Sequence, residues 1–148
     1  MQDANRVCTD YVWDRELNKC YFFYKDTPAL FQDASNDCFS KGESLLKIDT
    51  ERFQEKLTTQ IQSNGGTNQG GYMIGATDSV VEGTWRWEDG TIATANQWRP
   101  DYPKNQNAEQ DYMLLAKGGS WKWQDITDGP MLRNYICERP IGTNYNPL

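Results

Sequence analysis

Residues 27–42 read TPALFQDASNDCFSKG, and their spacing decides the fold class. Leu30, Phe31, Ala34, Cys38 and Phe39 recur at three- and four-residue intervals, the period of one helix face. Thr27 suits the N-cap and Pro28 the first helical position, which predicts a helix opening there. Gly42 suits the residue just past the last turn. SLLKI (Ser44 to Ile48) follows as a strand. ERFQEKLTTQIQ then reads as a second helix, capped by Asp49 or Thr50, with Phe53, Leu57 and Ile61 on one face. SNGGTNQGG ends it. Upstream, YFFY (Tyr21 to Tyr24) is short, aromatic and strand-like. Downstream come YMIGA, TWRWEDG, DYMLLA, WKWQD and NYICERP, short strands separated by loops. Two helices early and a run of short strands late indicate an α+β domain.

The chain of 148 residues is a one-domain length with no internal repeat, low-complexity tract or linker, so residues 1–148 are read as a single domain. Six Trp, eight Tyr and five Phe supply large side chains that suit both cores and binding surfaces. Trp85 and Trp87 alternate and are assigned to the core. Trp121 and Trp123 share one face of a strand by the same alternation.

Fifteen Lys and Arg against 21 Asp and Glu give a net charge of −6, with no histidine. Such a chain lacks the electrostatic footprint of a nucleic-acid binder. Without imidazole, the commonest general base and zinc ligand are gone, and triads that depend on it are excluded. No carboxylate pair has an identifiable apolar setting to raise its pKa, so a glycosidase is disfavoured and no enzyme is expected. No stretch has the roughly 20 apolar residues of a membrane span, so no membrane insertion is expected. The start, MQDANRVC, has no apolar signal core; for a secreted protein this is the mature form, with Met1 an initiator.

The cysteines are Cys8, Cys20, Cys38 and Cys137, with no CxxC pair to suggest zinc or thioredoxin-type chemistry. Four cysteines allow three pairings. In one of them Cys8 and Cys20 close the hairpin CTDYVWDRELNKC (residues 8–20), which leaves Cys38 for Cys137. A bond enclosing about 100 residues stabilises by about 4–5 kcal/mol on the chain-entropy estimate. The even count without metal spacing favours an oxidising compartment.

Between Trp87 and Asp111 lies a long loop with little regular patterning, the kind that in compact domains is functional or disordered. Aromatic anchors at both ends argue for an ordered one. Its second half, with the first residue of the next strand, reads WRPDYPKNQNAEQDY, residues 98–112.

The order of these pieces resembles the C-type lectin-like domain over nearly the whole chain. The residues that carry the likeness are the hairpin cysteines with Trp13 and CYFF; the helix ending in Cys38, Gly42 and Leu45; YMIGATD in place of the family's WIGL strand; WRWEDGT; WRPDYPKN; WKWQD; and YICE. The extra N-terminal cysteine pair marks the long form. The resemblance implies a double-loop fold with two helices, short antiparallel sheets and a long ligand-binding loop. It also implies Cys8–Cys20 in the hairpin and Cys38–Cys137 as the whole-domain disulfide. The family's second loop disulfide is missing: Tyr112 stands at one of its positions and ITDGP follows Asp125 at the other. Packing by Tyr112 could replace the crosslink.

Calcium-dependent members hold an ion between a Glu-Pro-Asn or Gln-Pro-Asp triplet, a following Glu and a late Asn-Asp pair. Here the triplet aligns either on Tyr102-Pro103-Lys104 or on Arg99-Pro100-Asp101, and each brings a cation where calcium needs oxygens. Gln110 and Gln124-Asp125 replace the remaining ligands. No cofactor is therefore expected at the sugar site. An auxiliary calcium is the exception, for which Asp78, Glu82 and Asp111 match ligand positions.

The Arg-Pro-Asp loop looks like that of calcium-independent bivalve lectins that recognise N-acetylglucosamine and N-acetylgalactosamine. In that reading Arg99 donates to sugar oxygens and Asp101 accepts from hydroxyls or the acetamido N–H. Tyr102, Glu109 and Asp125 contribute from neighbouring positions. The competing reading of the tripeptide is a turn in which Arg99 and Asp101 pair with each other. The function expected is a secreted, extracellular lectin for glycans bearing N-acetylhexosamines, with an agglutinating or innate-immune role. A single weak contact would need a non-covalent homo- or heterodimer for avidity. The alternatives are a protein-recognition module without a sugar site, a calcium-dependent lectin, or a surface for mineral or ice.

Overall fold

The computed structural model describes residues 8–64, 71–94, 97–104, 110–127 and 131–141. Strands β1 (Val12–Asp14) and β2 (Lys19–Ala29) form the N-terminal hairpin, with Val12 opposite Tyr21 and Trp13 opposite Cys20. In its turn the Leu17 N–H donates to Asp14 Oδ1 at 3.0 Å, and Asn18 takes the left-handed backbone with φ 55° that Asn tolerates. The Cys8–Cys20 bond closes the hairpin and Cys38–Cys137 joins the first helix to the last strand, as the resemblance implies.

Helix α1 spans Phe31–Ser40, so it opens later than the Thr27-Pro28 pattern predicts. Residues 27–29 remain in β2, where Ala29 pairs with Arg133 beyond an irregularity in the ladder. The Thr27 side chain hydrogen-bonds the Tyr135 hydroxyl and does not cap the helix. Pro28 is tolerated because β1 covers β2 only as far as Tyr21, leaving that edge of the strand without a partner strand among the described residues. The C-terminus follows the expectation. Gly42 takes φ +73°, its N–H bonds the Phe39 carbonyl, and the Glu43 N–H reaches back to Cys38.

Only Ser44–Leu45 of SLLKI forms a strand, β3. Leu46 follows with single bonds to two neighbours: its N–H donates to Ile136 and its carbonyl accepts from Gly75. Helix α2 (Glu51–Asn64) is capped by Thr50, whose Oγ1 accepts the Phe53 N–H at 3.1 Å. The remaining elements are β4 (Tyr72–Val81), β5 (Thr84–Trp87), β6 (Tyr112–Ala116), a 3-10 turn at Lys117–Gly119, β7 (Lys122–Ile126) and β8 (Arg133–Glu138).

The strands expected in short antiparallel sheets join in one network ordered β1-β2-β8-β4-β6-β7, with β3 on β8 and β5 on β4. Every pairing is antiparallel except β4 with β8. Side-chain alternation divides the core between the two faces of this sheet. Tyr72, Ile74, Met113, Leu115 and Ile136 face Phe53, Leu57 and Ile61 of α2. Met73, Leu114, Tyr135 and Cys137 face Phe31, Ala34 and Cys38 of α1. Tyr112 stacks on Phe31 with ring centroids 4.3 Å apart, so packing stands where relatives have the loop disulfide.

Candidate functional site

The long loop is anchored by tryptophan. Trp85 and Trp87 are core residues as expected, and Trp98 crosses back to bridge Trp123 of β7. Trp98 packs edge-on against both Trp85 at 5.0 Å and Trp123 at 5.7 Å. Backbone bonds fix the alignment: the Trp123 N–H donates to Gln97 and the Arg99 N–H to Trp123. Residues 97–99 thus run as a short companion to β7, with the Gln97 and Arg99 side chains beside Lys122 and Gln124.

Arg99 is half-buried. Its Nη1 donates to Gln124 Oε1 at 2.7 Å, and its guanidinium carbon lies 4.9 Å from the centre of the Tyr102 ring. The other face of its stem lies on Gly119 of the 3-10 turn, where a β-carbon would stand 2.8 Å from Arg99 Cδ and Nε. The Tyr102 N–H closes a turn onto the Arg99 carbonyl, and Asp101 sits exposed in that turn with φ 70°. RPD is therefore a turn, but among the described residues Arg99 and Asp101 form no ion pair. The guanidinium is held by a neutral amide and a ring instead.

Tyr102 and Pro103 are joined by a cis peptide bond, and the Tyr102 ring also meets the Lys104 ammonium at 5.1 Å. The Lys104 backbone N–H donates to Asp125 Oδ1 at 2.8 Å. Asp125 is only 1% exposed, so the structure places it beneath the loop. Both alignments of the triplet thus converge on β7, one through Gln124 and the other through Asp125. Arg99, Asp101, Tyr102 and Asp125 come together; Glu109 lies outside the described residues.

Sequence reasoning missed Gly119 and Gln54. Gln54 of α2 is 1% exposed; its Nε2 donates to the Trp121 carbonyl and its Oε1 accepts from Trp123 Nε1, both at 2.9 Å. It holds the start of β7 from the core side. Trp121 is buried but precedes the strand, in a left-handed backbone (φ 66°) that it shares with Ser120 (φ 56°). The signal for that turn was KGGS at 117–120.

Asp78, Glu82 and Asp111 also meet. Their carboxylates bring oxygens within 4.8 Å of one another where β4, the β4–β5 turn and the start of β6 adjoin. Asp78 is 1% exposed; its Oδ2 accepts the Gly83 N–H at 3.0 Å, and its Oδ1 is buried with no hydrogen-bond partner among the described residues. A buried carboxylate oxygen left over beside two more carboxylates offers the hard oxygen donors that a cation such as calcium could take.

A two-faced sheet flanked by two helices, with a whole-domain disulfide and an anchored long loop, defines a double-loop recognition domain. Comparison with known proteins agrees. Residues 27–139 match the family described as Lectin C-type domain, and the chain belongs to that family. It is 29% identical over 140 residues to a perlucin-like protein of Mytilus galloprovincialis, covering 90% of this chain and 88% of that one. It is 30% identical over 143 residues to human C-type lectin domain family 4 member E, covering 93% of this chain and 61% of that one. The human scavenger receptor C-type lectin carbohydrate-recognition domain superposes with a TM-score of 0.72 at 28% identity, covering 87% and 96% of the two chains. The protein is thus a C-type carbohydrate-recognition domain, a binding module and not an enzyme.

Proposed function

We propose that this domain is a secreted lectin that recognises N-acetylated hexosamines through Arg99 and Asp101, with no calcium at the sugar contact. The observation that carries the reading is the separation of these two side chains. Arg99 is oriented by Gln124 and Tyr102 and keeps N–H groups to donate, while Asp101 presents an exposed carboxylate that no cation among the described residues occupies. Donor and acceptor from one turn match the vicinal hydroxyls and acetamido group of such a sugar. The Tyr102 ring, with the Arg99 and Lys104 cations over it, borders them. Asp125 acts from beneath, by fixing the Lys104 backbone. Where a calcium site would need oxygens, the loop carries the Arg99 and Lys104 cations.

The carboxylates of Asp78, Glu82 and Asp111 would hold an auxiliary calcium whose role is to fix the base of the loop. Secretion accords with two internal disulfides and an extracellular family. Since all four cysteines are bonded within the chain, an agglutinating assembly would be a non-covalent dimer.

A glycan array probed in EDTA tests the reading. Retained binding to N-acetylglucosamine or N-acetylgalactosamine, abolished by Arg99→Ala and by Asp101→Ala with little change in Tm, is the expected result. Chelator-sensitive binding would restore a calcium mechanism, and silence on every glycan would favour protein recognition.

A further inference from the structure

In an acidic protein most cations are expected to find carboxylates, and away from the loop at least six of the ten described cations do. Lys19, Lys41, Lys47, Arg52, Lys56 and Arg139 each form an ion pair. Around the loop the pattern inverts. Arg99, Lys104, Lys117 and Lys122 form no ion pair among the described residues. Arg99 has only Gln124 and Tyr102, and Lys122 has only the Gln97 amide oxygen, at 2.8 Å. Lys104 has its ammonium over Tyr102.

These charges are also close together. Arg99 and Lys104 lie 4.9 and 5.1 Å from the centre of one ring, on a single turn of chain. Lys122 and Gln124 alternate onto one face of β7, so Lys122 lies beside the residue that holds Arg99. Lys117 opens the 3-10 turn whose Gly119 abuts Arg99. Adjacent like charges are unfavourable unless something compensates them. Among the described residues the nearby acids do not. Asp101 is a single exposed carboxylate, and Asp125 is buried on the Lys104 backbone. The Asp78, Glu82 and Asp111 cluster adjoins the other end of the β6–β7 pair, where Tyr112 faces Ile126. Four residue steps along β7 separate that end from Lys122, about 13 Å and more than a Debye length at physiological salt, whereas the Lys104 backbone, bonded to Asp125, lies nearer to it.

We infer that the sugar bound by this loop carries an anionic group, a sulfate ester or a carboxylate, set against Lys104 and Lys122 beside Arg99. The inference rests on the saccharide reading above and narrows its ligand to acidic N-acetylated sugars. Arg99 and Asp101 grip the ring hydroxyls and acetamido group. The two lysines, mobile point charges, neutralise the substituent. A neutral hexosamine would leave the cluster uncompensated.

The test measures affinities in EDTA for matched probes: N-acetylgalactosamine and its 4-sulfate, N-acetylglucosamine and its 6-sulfate, and N-acetylneuraminic acid as the carboxylate arm. At least one acidic probe should bind about tenfold tighter than the neutral hexosamines, the scale of one close charge pair. That ratio should shrink as salt is raised and collapse in Lys104→Ala/Lys122→Ala. A preference for sulfated sugars identifies a sulfate ester, and a preference for N-acetylneuraminic acid identifies a carboxylate. Equal affinity for neutral and acidic probes overturns the inference while leaving the saccharide reading intact, as does a ratio that survives the double variant. Acidic-probe binding that survives Arg99→Ala, or no binding to any probe, overturns both.

Discussion

Gly119 and Arg99 are in direct contact across the loop, with no room between them for a methyl group. An ideal β-carbon on Gly119 would stand 2.8 Å from Arg99 Cδ and Nε and 3.1 Å from Cβ. The glycine is needed for this neighbour and not for its own backbone, which lies outside the left-handed region, unlike that of Ser120 beside it. Gly119→Ala should therefore push the arginine stem away and break its bond to Gln124. At a position without such a neighbour, Gly→Ala is neutral or stabilising by about 0.4–1 kcal/mol through the unfolded chain. The expected outcome is an unchanged or slightly raised Tm with roughly tenfold weaker saccharide binding, the cost of misplacing one charge-assisted contact. The Arg99 Nε–H NMR resonance, which reports the displacement without any sugar, should shift. An unmoved resonance would show that the arginine adapts without cost.

Gln54 anchors β7 from the opposite side. Its amide joins the Trp121 carbonyl and the Trp123 indole N–H in a core with no water-exposed alternative. Gln54→Leu keeps the volume and leaves both partners buried and unsatisfied, at about 1–3 kcal/mol for each group. A loss of about 2 kcal/mol or more in denaturant melts is expected, or roughly 4–8 °C in Tm for a domain of this size. Because Trp123 supports Trp98, saccharide binding should weaken as well. A stability change below about 0.5 kcal/mol, the range of an ordinary surface substitution, would deny Gln54 this role.

Much of this arrangement could be read from the chain. Period-two alternation located Trp85 and Trp87 in the core, and Thr50 and Gly42 mark helix ends by chemistry that acts locally. The failures are where a tertiary partner overrides local preference. Thr27-Pro28 has the form of a helix start, yet Tyr135, more than a hundred residues away, engages Thr27 and the segment stays in β2. Arg99 and Asp101 are two residues apart and of opposite charge, yet Gln124 takes the guanidinium. Gly119 reads only as part of a loop until Arg99 is seen against it. The cations near the loop are dispersed through 24 residues of sequence and become neighbours only when residues 97–99 dock on β7.

For the acidic cluster, occupancy should show as stability. Calcium added to the metal-stripped protein should raise Tm in a concentration-dependent way, since a ligand of the folded state alone stabilises by RT ln(1 + [L]/Kd), about 2.7 kcal/mol at a hundredfold excess over Kd. Asp78→Asn removes one carboxylate charge and should abolish that rise. Even without calcium the variant should be no less stable than the parent, because the buried Asp78 Oδ1 has no hydrogen bond among the described residues to lose. A Tm indifferent to calcium in the parent protein would mean that the three carboxylates hold no ion.

Acid should affect the domain in two opposed steps. Burial holds the Glu88 and Glu138 carboxyls above their usual range, with the charge of Glu138 adding to the effect at Glu88. A carboxyl raised in the folded state favours folding when protonated, so its contribution is present at low pH and lost as pH rises through the folded value. Asp89 is the reverse case. Hydrogen bonds from Lys47 and Thr91 lower it to about 2, so its contribution is present above the ordinary aspartate range and lost as pH falls toward 2. The Asp89 side chain is half exposed, which keeps that term small. Melts recorded from pH 7 downward should therefore rise as the raised carboxyls protonate above the ordinary carboxyl range, and fall again as pH drops below the ordinary aspartate range. Glu88→Gln should blunt the rise: the amide is neutral throughout, and its oxygen can still accept the Leu45 N–H that Glu88 Oε1 accepts at 2.8 Å. A parent protein whose Tm falls steadily from pH 7 to pH 5 would contradict the raised carboxyls. A variant that rises as steeply as the parent would assign the effect to Glu138 alone.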